Sequence, residues 1–171
     1  MSDIRLRVAA PSDAETLSRI GRRTFTETFG RLYPAEDLAD FLRGHAPERY
    51  AAWLADPSCR LWLAERDGEA LGYALAAPCG LPHADVTPDC GELQRLYVDA
   101  RAQRTGAGTA LLREALDWLQ APGRTLWIGV WSENHGAQRL YRRHGFEQVG
   151  SYLFPVGASR DLEFILRRPP P

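Results

Sequence analysis

Gly91–Leu119 reads GELQRLYVDARAQRTGAGTALLREALDWL. Leu93, Leu96, Tyr97 and Val98 form a short run rich in strand formers. Asp99-Ala100-Arg101-Ala102 breaks it, Gln103-Arg104-Thr105-Gly106-Ala107-Gly108 follows, and Leu111, Leu112, Ala115, Leu116 and Leu119 then recur at helical spacing. The stretch is a strand, a tight glycine loop and a helix. The first N–H groups of a helix lack internal partners and lie at the positive end of its dipole. Glycines let the chain turn sharply there and let a phosphate approach the backbone. Arg101 and Arg104 add positive charge beside that point. The loop suits a pyrophosphate; the plainer alternative is an ordinary helix-entry turn.

The kind of phosphate ligand is narrowed by what the loop lacks. A Walker loop ends in Gly-Lys-Ser/Thr, and this chain contains no lysine. A dinucleotide fingerprint wants a third glycine three residues after the second, where Leu111 stands. What remains is Gln-x-x-Gly-x-Gly after an apolar strand.

The chain has 171 residues, 44% hydrophobic and 25% charged, with a net charge of −1. That is the length and composition of one globular domain with a sizeable core. The charge balance gives no support to a general nucleic-acid or membrane-surface role. No apolar run is long enough to span a bilayer, no secretory leader is evident, and Cys59, Cys79 and Cys90 lack metal-ligand spacing. Free thiols, a cytoplasmic setting and no metal are expected.

Outward from the glycine loop, Ile4, Leu6 and Val8 alternate with arginines as a half-exposed strand. Ser12 and Glu15 are spaced as a capping box for a helix that ends in the aromatic segment Thr24-Phe25-Thr26-Glu27-Thr28-Phe29-Gly30. Further helices start near Pro34 and Pro47. Leu61–Glu65 and Ala70–Ala76 form a hairpin about Asp67-Gly68, and residues 78–89 are loop-like. Beyond the loop's helix, Thr125–Trp131 is apolar throughout, as for a central strand. Asn134-His135-Gly136-Ala137 opens a short helix closed by His144-Gly145-Phe146, and Val149–Phe154 and Leu162–Leu166 are the last strands. This order makes the chain α/β with a mixed sheet: one domain over residues 1–168 and a tail at 169–171.

Two segments carry a resemblance. The loop Gln103–Gly108 resembles the acetyl-CoA loop of the GNAT superfamily of N-acetyltransferases. Trp127–Asn134, with Ala137, Leu140-Tyr141 and His144-Gly145-Phe146, resembles that superfamily's second signature. A closer likeness, on Thr24–Phe29, Trp127–Trp131 and Gly150–Phe154, is to the PaiA-type bacterial acetyltransferases, which acetylate polyamines. The resemblance implies the GNAT fold, an α+β arrangement in which helices flank a single mixed, mostly antiparallel sheet of about seven strands.

It also implies acetyl-CoA as co-substrate, a small-molecule amine as acceptor, and a possible homodimer. Leu96, Tyr97 and Val98 would hydrogen-bond the pantetheine arm like an added strand, and a backbone N–H near Val98 would meet the developing oxyanion. The backbone from Arg104 through Thr105, Gly106, Ala107 and Gly108 to Thr109 would hold the pyrophosphate, with Arg101 beside it. Asn134, at the head of the helix that also carries Ala137, would touch the pantetheine or simply cap that helix. Tyr141 would protonate the leaving thiolate, unless it is a plain core tyrosine. For the general base, Glu92 and Glu27 are the candidates, each also readable as surface charge; Gly129 occupies the position of a base glutamate in some relatives. Phe25, Phe29 and Tyr33, with Glu27, Glu36, Asp37 and Asp40, would suit a cationic acceptor, and the loop with His83 and Asp85 would cover the site. Amino acids, aminoglycosides and protein N-termini are alternative acceptors. A non-catalytic coenzyme sensor and a pure interaction protein are alternatives of another class.

Overall fold

The computed structural model describes residues 3–171. The first two positions of the domain expected over residues 1–168 lie outside them. A seven-stranded sheet runs β1 (Arg5–Val8), β2 (Arg60–Arg66), β3 (Glu69–Pro78), β4 (Gly91–Val98), β5 (Leu126–Trp131), β7 (Ser159–Arg168), β6 (Glu147–Val156). Every neighbouring pair is antiparallel except β4 and β5.

Strand alternation explains the layers. Leu61 and Leu63 of β2, with Tyr73 and Leu75 of β3, face α1 (Ala14–Phe29) and α3 (Pro47–Ala55), where they bury Leu17, Ile20 and Tyr50. Trp62, Ala64, Ala74 and Ala76 face the other way, onto Leu111, Leu112, Ala115 and Leu116 of α4 (Ala107–Leu119) and Tyr141 of α5 (His135–Arg143). The short α2 (Ala35–Arg43) contacts β6. With both faces covered, β3 is buried almost end to end.

Three local expectations are corrected. Ser12 and Glu15 form no capping box: the backbone first makes a 3-10 turn at Pro11–Asp13, and the Asp13 carboxylate takes both the Ala10 N–H (2.6 Å) and Arg7. The last two strands are longer than their apolar runs, because ladder bonds continue past the apolar residues to Arg167 and Arg168, opposite Trp127 and Leu126. The acids of α2 serve structure: Asp37 accepts from Ala158 N–H and Ser159 Oγ in the β6–β7 turn, and Asp40 pairs with Arg43.

Candidate active site

Two irregularities in β4 make the site. Gln94 is an extra residue, since Leu75 of β3 pairs with Arg95 and Ala76 with Leu93. Such a bulge bends a strand and re-aims its side chains. Beyond it β4 and β5 part: only Gly91, Glu92 and Leu93 pair with β5, opposite Leu126, Trp127 and Ile128, although both strands run on. A gap opens inside the sheet. The Asp99 N–H bonds Leu71 O at 2.7 Å on the β3 side. Backbone groups alternate sides along a strand, so those of Leu96 and Val98 point into the gap. Tyr97 is the correction here: its backbone groups belong to the ladder with Tyr73, and its side chain faces the α1 side of the sheet.

The glycine loop stands at one mouth of this gap. Gly106, at φ 88°, caps α4 in the left-handed region, a conformation costly for any residue with a Cβ. Arg104 is left-handed as well (φ 64°) and exposed. Ala107 is buried, while Gly108 and Thr109 are part-exposed on the first turn, whose N–H groups have no helical acceptor. A Cβ on Gly108 would lie 3.6 Å from Val98 Cγ2, so the loop sits directly on the end of β4. Thr105 Oγ1 donates to Ala102 O and steadies the turn. Arg101 is placed otherwise than expected. Its guanidinium is held by Asp99 (3.0 Å) and Glu69 (2.8 Å), and Asp99 is buried and also bound to Arg23. Arg101 therefore fastens the loop to the sheet, and Arg104 is the cation beside the turn that has no ion-pair partner among the described residues.

At the other mouth is a chamber of about 220 Å³, walled by Phe25, Phe29, Tyr33, Phe41, Trp131 and Phe154. Glu92, Asp161 and Glu163 put three carboxylates into it, and Tyr97, Tyr152 and Arg95 complete the polar lining. Among the described residues none of the three carboxylates has an ion-pair partner. Glu92 is only 7% exposed and accepts the Gly80 N–H at 2.9 Å. Burial pushes its carboxyl up to about 7, with a smaller push from Glu163. Glu163 takes the Tyr152 hydroxyl at 2.6 Å and is also raised by burial; Asp161 takes the Tyr33 hydroxyl. Gly129 lies on the floor, where a Cβ would meet Leu81 Cδ2 at 3.1 Å, Glu163 Oε2 at 3.3 Å and the Tyr152 hydroxyl at 3.4 Å. A glutamate there would fill the chamber.

Among the described residues Arg95 has no carboxylate partner. Its guanidinium bonds Tyr50 (2.9 Å) and His45 Nδ1 (3.1 Å) and lies over the ring of Trp53. Burial and the neighbouring Arg95 hold His45 neutral, with its titration lowered to about 3.

Glu27 does not join this set. Two residues beyond Phe25 on a helix, it points to the opposite face. There it lies 4.0 Å from Arg23 and accepts the Ala100 N–H, in a wide groove that also holds Arg19, Arg22 and Arg31. His83 packs on Trp127 at 5.0 Å, outside the chamber lining. Tyr141 stands on the α4 face of the sheet, 6% exposed and edge-on to Phe146. Burial pushes its phenol well up, with smaller pushes from Tyr97 and Glu163. Asn134 caps α5, its side chain accepting the Ala137 N–H at 3.1 Å.

Asp161, Glu163, Tyr152 and Arg95 escape a motif-based reading. One trace of them is visible in the sequence: Leu162-Glu163-Phe164-Ile165-Leu166 carries a charge inside an apolar strand, a local inconsistency of the kind functional sites tolerate. Among the described residues no group of three or more His, Cys, Asp or Glu is placed to hold a metal ion, and no helix is long and apolar enough to cross a membrane.

Comparison with known proteins agrees with this geometry. The profile of the acetyltransferase (GNAT) family matches residues 22–146. An uncharacterised N-acetyltransferase of Mycobacterium tuberculosis is 30% identical over 162 residues, covering 92% of this chain and 97% of that protein. One from Lactobacillus delbrueckii subsp. lactis is 27% identical over 173 residues, covering 98% of each. Among solved structures, the PaiA N-acetyltransferase of Thermoplasma acidophilum in complex with coenzyme A superposes with a TM-score of 0.76 at 19% identity, over 98% of this chain and 99% of that one.

Proposed function

The chain belongs to the acetyltransferase (GNAT) family, and from that premise we propose that it moves an acetyl group from acetyl-CoA directly to a primary amine of a small cationic acceptor, a polyamine being the first class to test. The observation that carries this reading is the gap between β4 and β5, which joins a phosphate-binding turn at one mouth to a carboxylate-lined chamber at the other. Acetyl-CoA supplies the acetyl group as an activated thioester; everything else is done by the chain.

The N–H groups at the start of α4, with Arg104, receive the pyrophosphate. Leu96 and Val98 turn toward the pantetheine arm backbone groups that no strand takes, the Val98 carbonyl meeting only the Gln103 side-chain amide at 3.4 Å, and the Val98 N–H is the donor for a developing oxyanion. Glu92 takes the proton from the amine. An alkyl ammonium titrates near 10.4, more than three units above Glu92, so direct transfer from the ammonium is uphill by about 5 kcal/mol. The small neutral fraction of the amine is what attacks, and its N–H turns acidic as the N–C bond forms, so that Glu92 takes the proton at that stage. Tyr141 returns a proton to the departing sulfur. Burial makes its phenol a weaker acid, but the same dryness makes a thiolate more basic, which preserves the transfer. The thiols of Cys59, Cys79 and Cys90 are free, which suits a cytoplasmic setting.

Arg95 favours a second reading. A half-buried guanidinium at the chamber wall, without a carboxylate partner among the described residues, would suit an acceptor that carries a carboxylate beside its amine. Thiol release from acetyl-CoA, followed over a panel of polyamines, simple amines, amino acids and peptides, tests both. Polyamine-dependent release at the highest kcat/KM is expected. Release with amino acids alone moves the assignment to the second reading, and release with no amine ends both.

A further inference from the structure

The chamber holds more negative charge than proton abstraction requires. Glu92 suffices for that step, yet Glu163 lines the same 220 Å³, and among the described residues it forms no ion pair, the guanidinium of Arg95 in that lining being bonded to Tyr50 and His45 instead. Burial penalises the ionised form of Glu163, and a cationic ligand beside it would relieve that penalty. The register shows where that ligand lies. Glu92 is level with Trp127 of β5, and Glu163 is level with Trp131. Those positions are about 13 Å apart along the strand, and Gly129 is midway between them. Glu163 reaches back toward the middle, with its Oε2 3.3 Å from where a Gly129 Cβ would be. The floor between the two acids is thus kept thin by a glycine, and Phe29, Trp131 and Phe154 supply walls suited to methylenes and ammonium groups. Tyr152 fixes the far acid by its 2.6 Å hydrogen bond, leaving the other lone pairs of the carboxylate for a donor from the chamber.

We propose that Glu163, held by Tyr152, is the specificity-determining residue that binds a second ammonium group of the acceptor while Glu92 serves the reacting amine, so that the enzyme selects linear diamines over monoamines. This rests on the acetyl-transfer reading above and adds to it the residue that reads the acceptor's far end. Asp161, two residues along the same face of β7 and bonded to Tyr33, continues the acidic row outward for a longer chain.

The test compares kcat/KM for diaminobutane and butylamine in the wild-type protein, Glu163→Gln and Tyr152→Phe, with the acetyl-CoA-dependent rise in melting temperature as the check on folding. The wild type is expected to prefer the diamine by at least about 10-fold, the scale of one charge-assisted hydrogen bond. Glu163→Gln should collapse that ratio through KM for the diamine, with any change that reaches kcat through Glu92 shared by both amines, and the acetyl-CoA response unchanged. Tyr152→Phe should lower the preference in the same direction by less. Retention of the preference in Glu163→Gln, or equal losses on both amines, overturns the assignment. A wild type that acetylates both amines equally well overturns this inference alone; a wild type that acetylates no amine overturns it together with the acetyl-transfer reading.

Discussion

Glu92 brings two opposing demands to one carboxyl. Its titration is raised to about 7 from an ordinary 4.5 because burial penalises the anion. As the base it must be ionised, so kcat/KM should climb with pH through about 7 and level off above, until the acceptor itself or another group intervenes. Stability runs the other way. Between 4.5 and 7 the folded chain holds a proton that the unfolded chain has released, so stability falls as pH rises across that window and stays lowered above it. Glu92→Gln is therefore expected to lose about 100-fold or more in kcat, to lose the acidic limb of the rate profile, and to melt higher than wild type at pH 8. A pH–rate profile and paired melting curves check all three; an unchanged acidic limb removes Glu92 as the base. Tyr141→Phe keeps the ring that packs against Phe146 and deletes only the hydroxyl. Its melting temperature should move little while kcat drops by about 100-fold or more, measured at saturating acetyl-CoA. Unchanged turnover would return Tyr141 to the core.

The elements show why the coenzyme side was readable in the chain and the acceptor side was not. Strand, glycine loop and helix at residues 91–119 are local: the φ of Gly106, the open first turn of α4 and the cap by Asn134 each depend on residues within a few positions. Spacing reveals such features directly. The chamber is non-local. Glu92 and Glu163 meet only because β5 passes between β4 and β7, and Arg95 faces inward only because Gln94 is a bulge. Nothing in a window of the sequence announces either. Glu27 misleads for the complementary reason: it lies beside the aromatic residues in sequence but on the far face of α1 in space. Gly129 belongs to this scale, since its value is the space between elements. Gly129→Val would push branches into Leu81, Glu163 and Tyr152, whose nearest atoms are 3.1–3.4 Å from the first added carbon. Overpacking of this kind costs about 1–3 kcal/mol, so the acceptor KM should rise by about 10-fold or more. KM for acetyl-CoA, bound on the other side of the gap, should stay within about 2-fold. Equal changes in both constants would place the chamber elsewhere.

For the molecule as a whole, the gap within the sheet is a weakness that a ligand repairs. Strands β4 and β5 join the two halves of the sheet through three residue pairs, so the β1–β4 half and the β5–β7 half depend for the rest of their contact on what packs across both faces, α4 and α5 on one and the α1–α2 segment on the other. A ligand lying along Leu96 and Val98 and anchored at the start of α4 would bridge the halves and stabilise the native state by mass action. At a hundredfold excess over its dissociation constant that is about 2.7 kcal/mol. In a chain of this length it corresponds to a rise in melting temperature of roughly 5–10 °C. Gly106→Val separates this coupling from general damage. Forcing a branched residue to φ 88° costs on the order of 1–3 kcal/mol in the free protein, and it distorts the turn that presents the phosphate-binding N–H groups. The variant is expected to melt lower than wild type without acetyl-CoA and to gain less than about 2 °C with it. Wild-type protein that gains nothing at millimolar acetyl-CoA would leave the gap without its ligand. A variant that gains as much as wild type would take the pyrophosphate away from the glycine loop and keep only the pantetheine contact with β4.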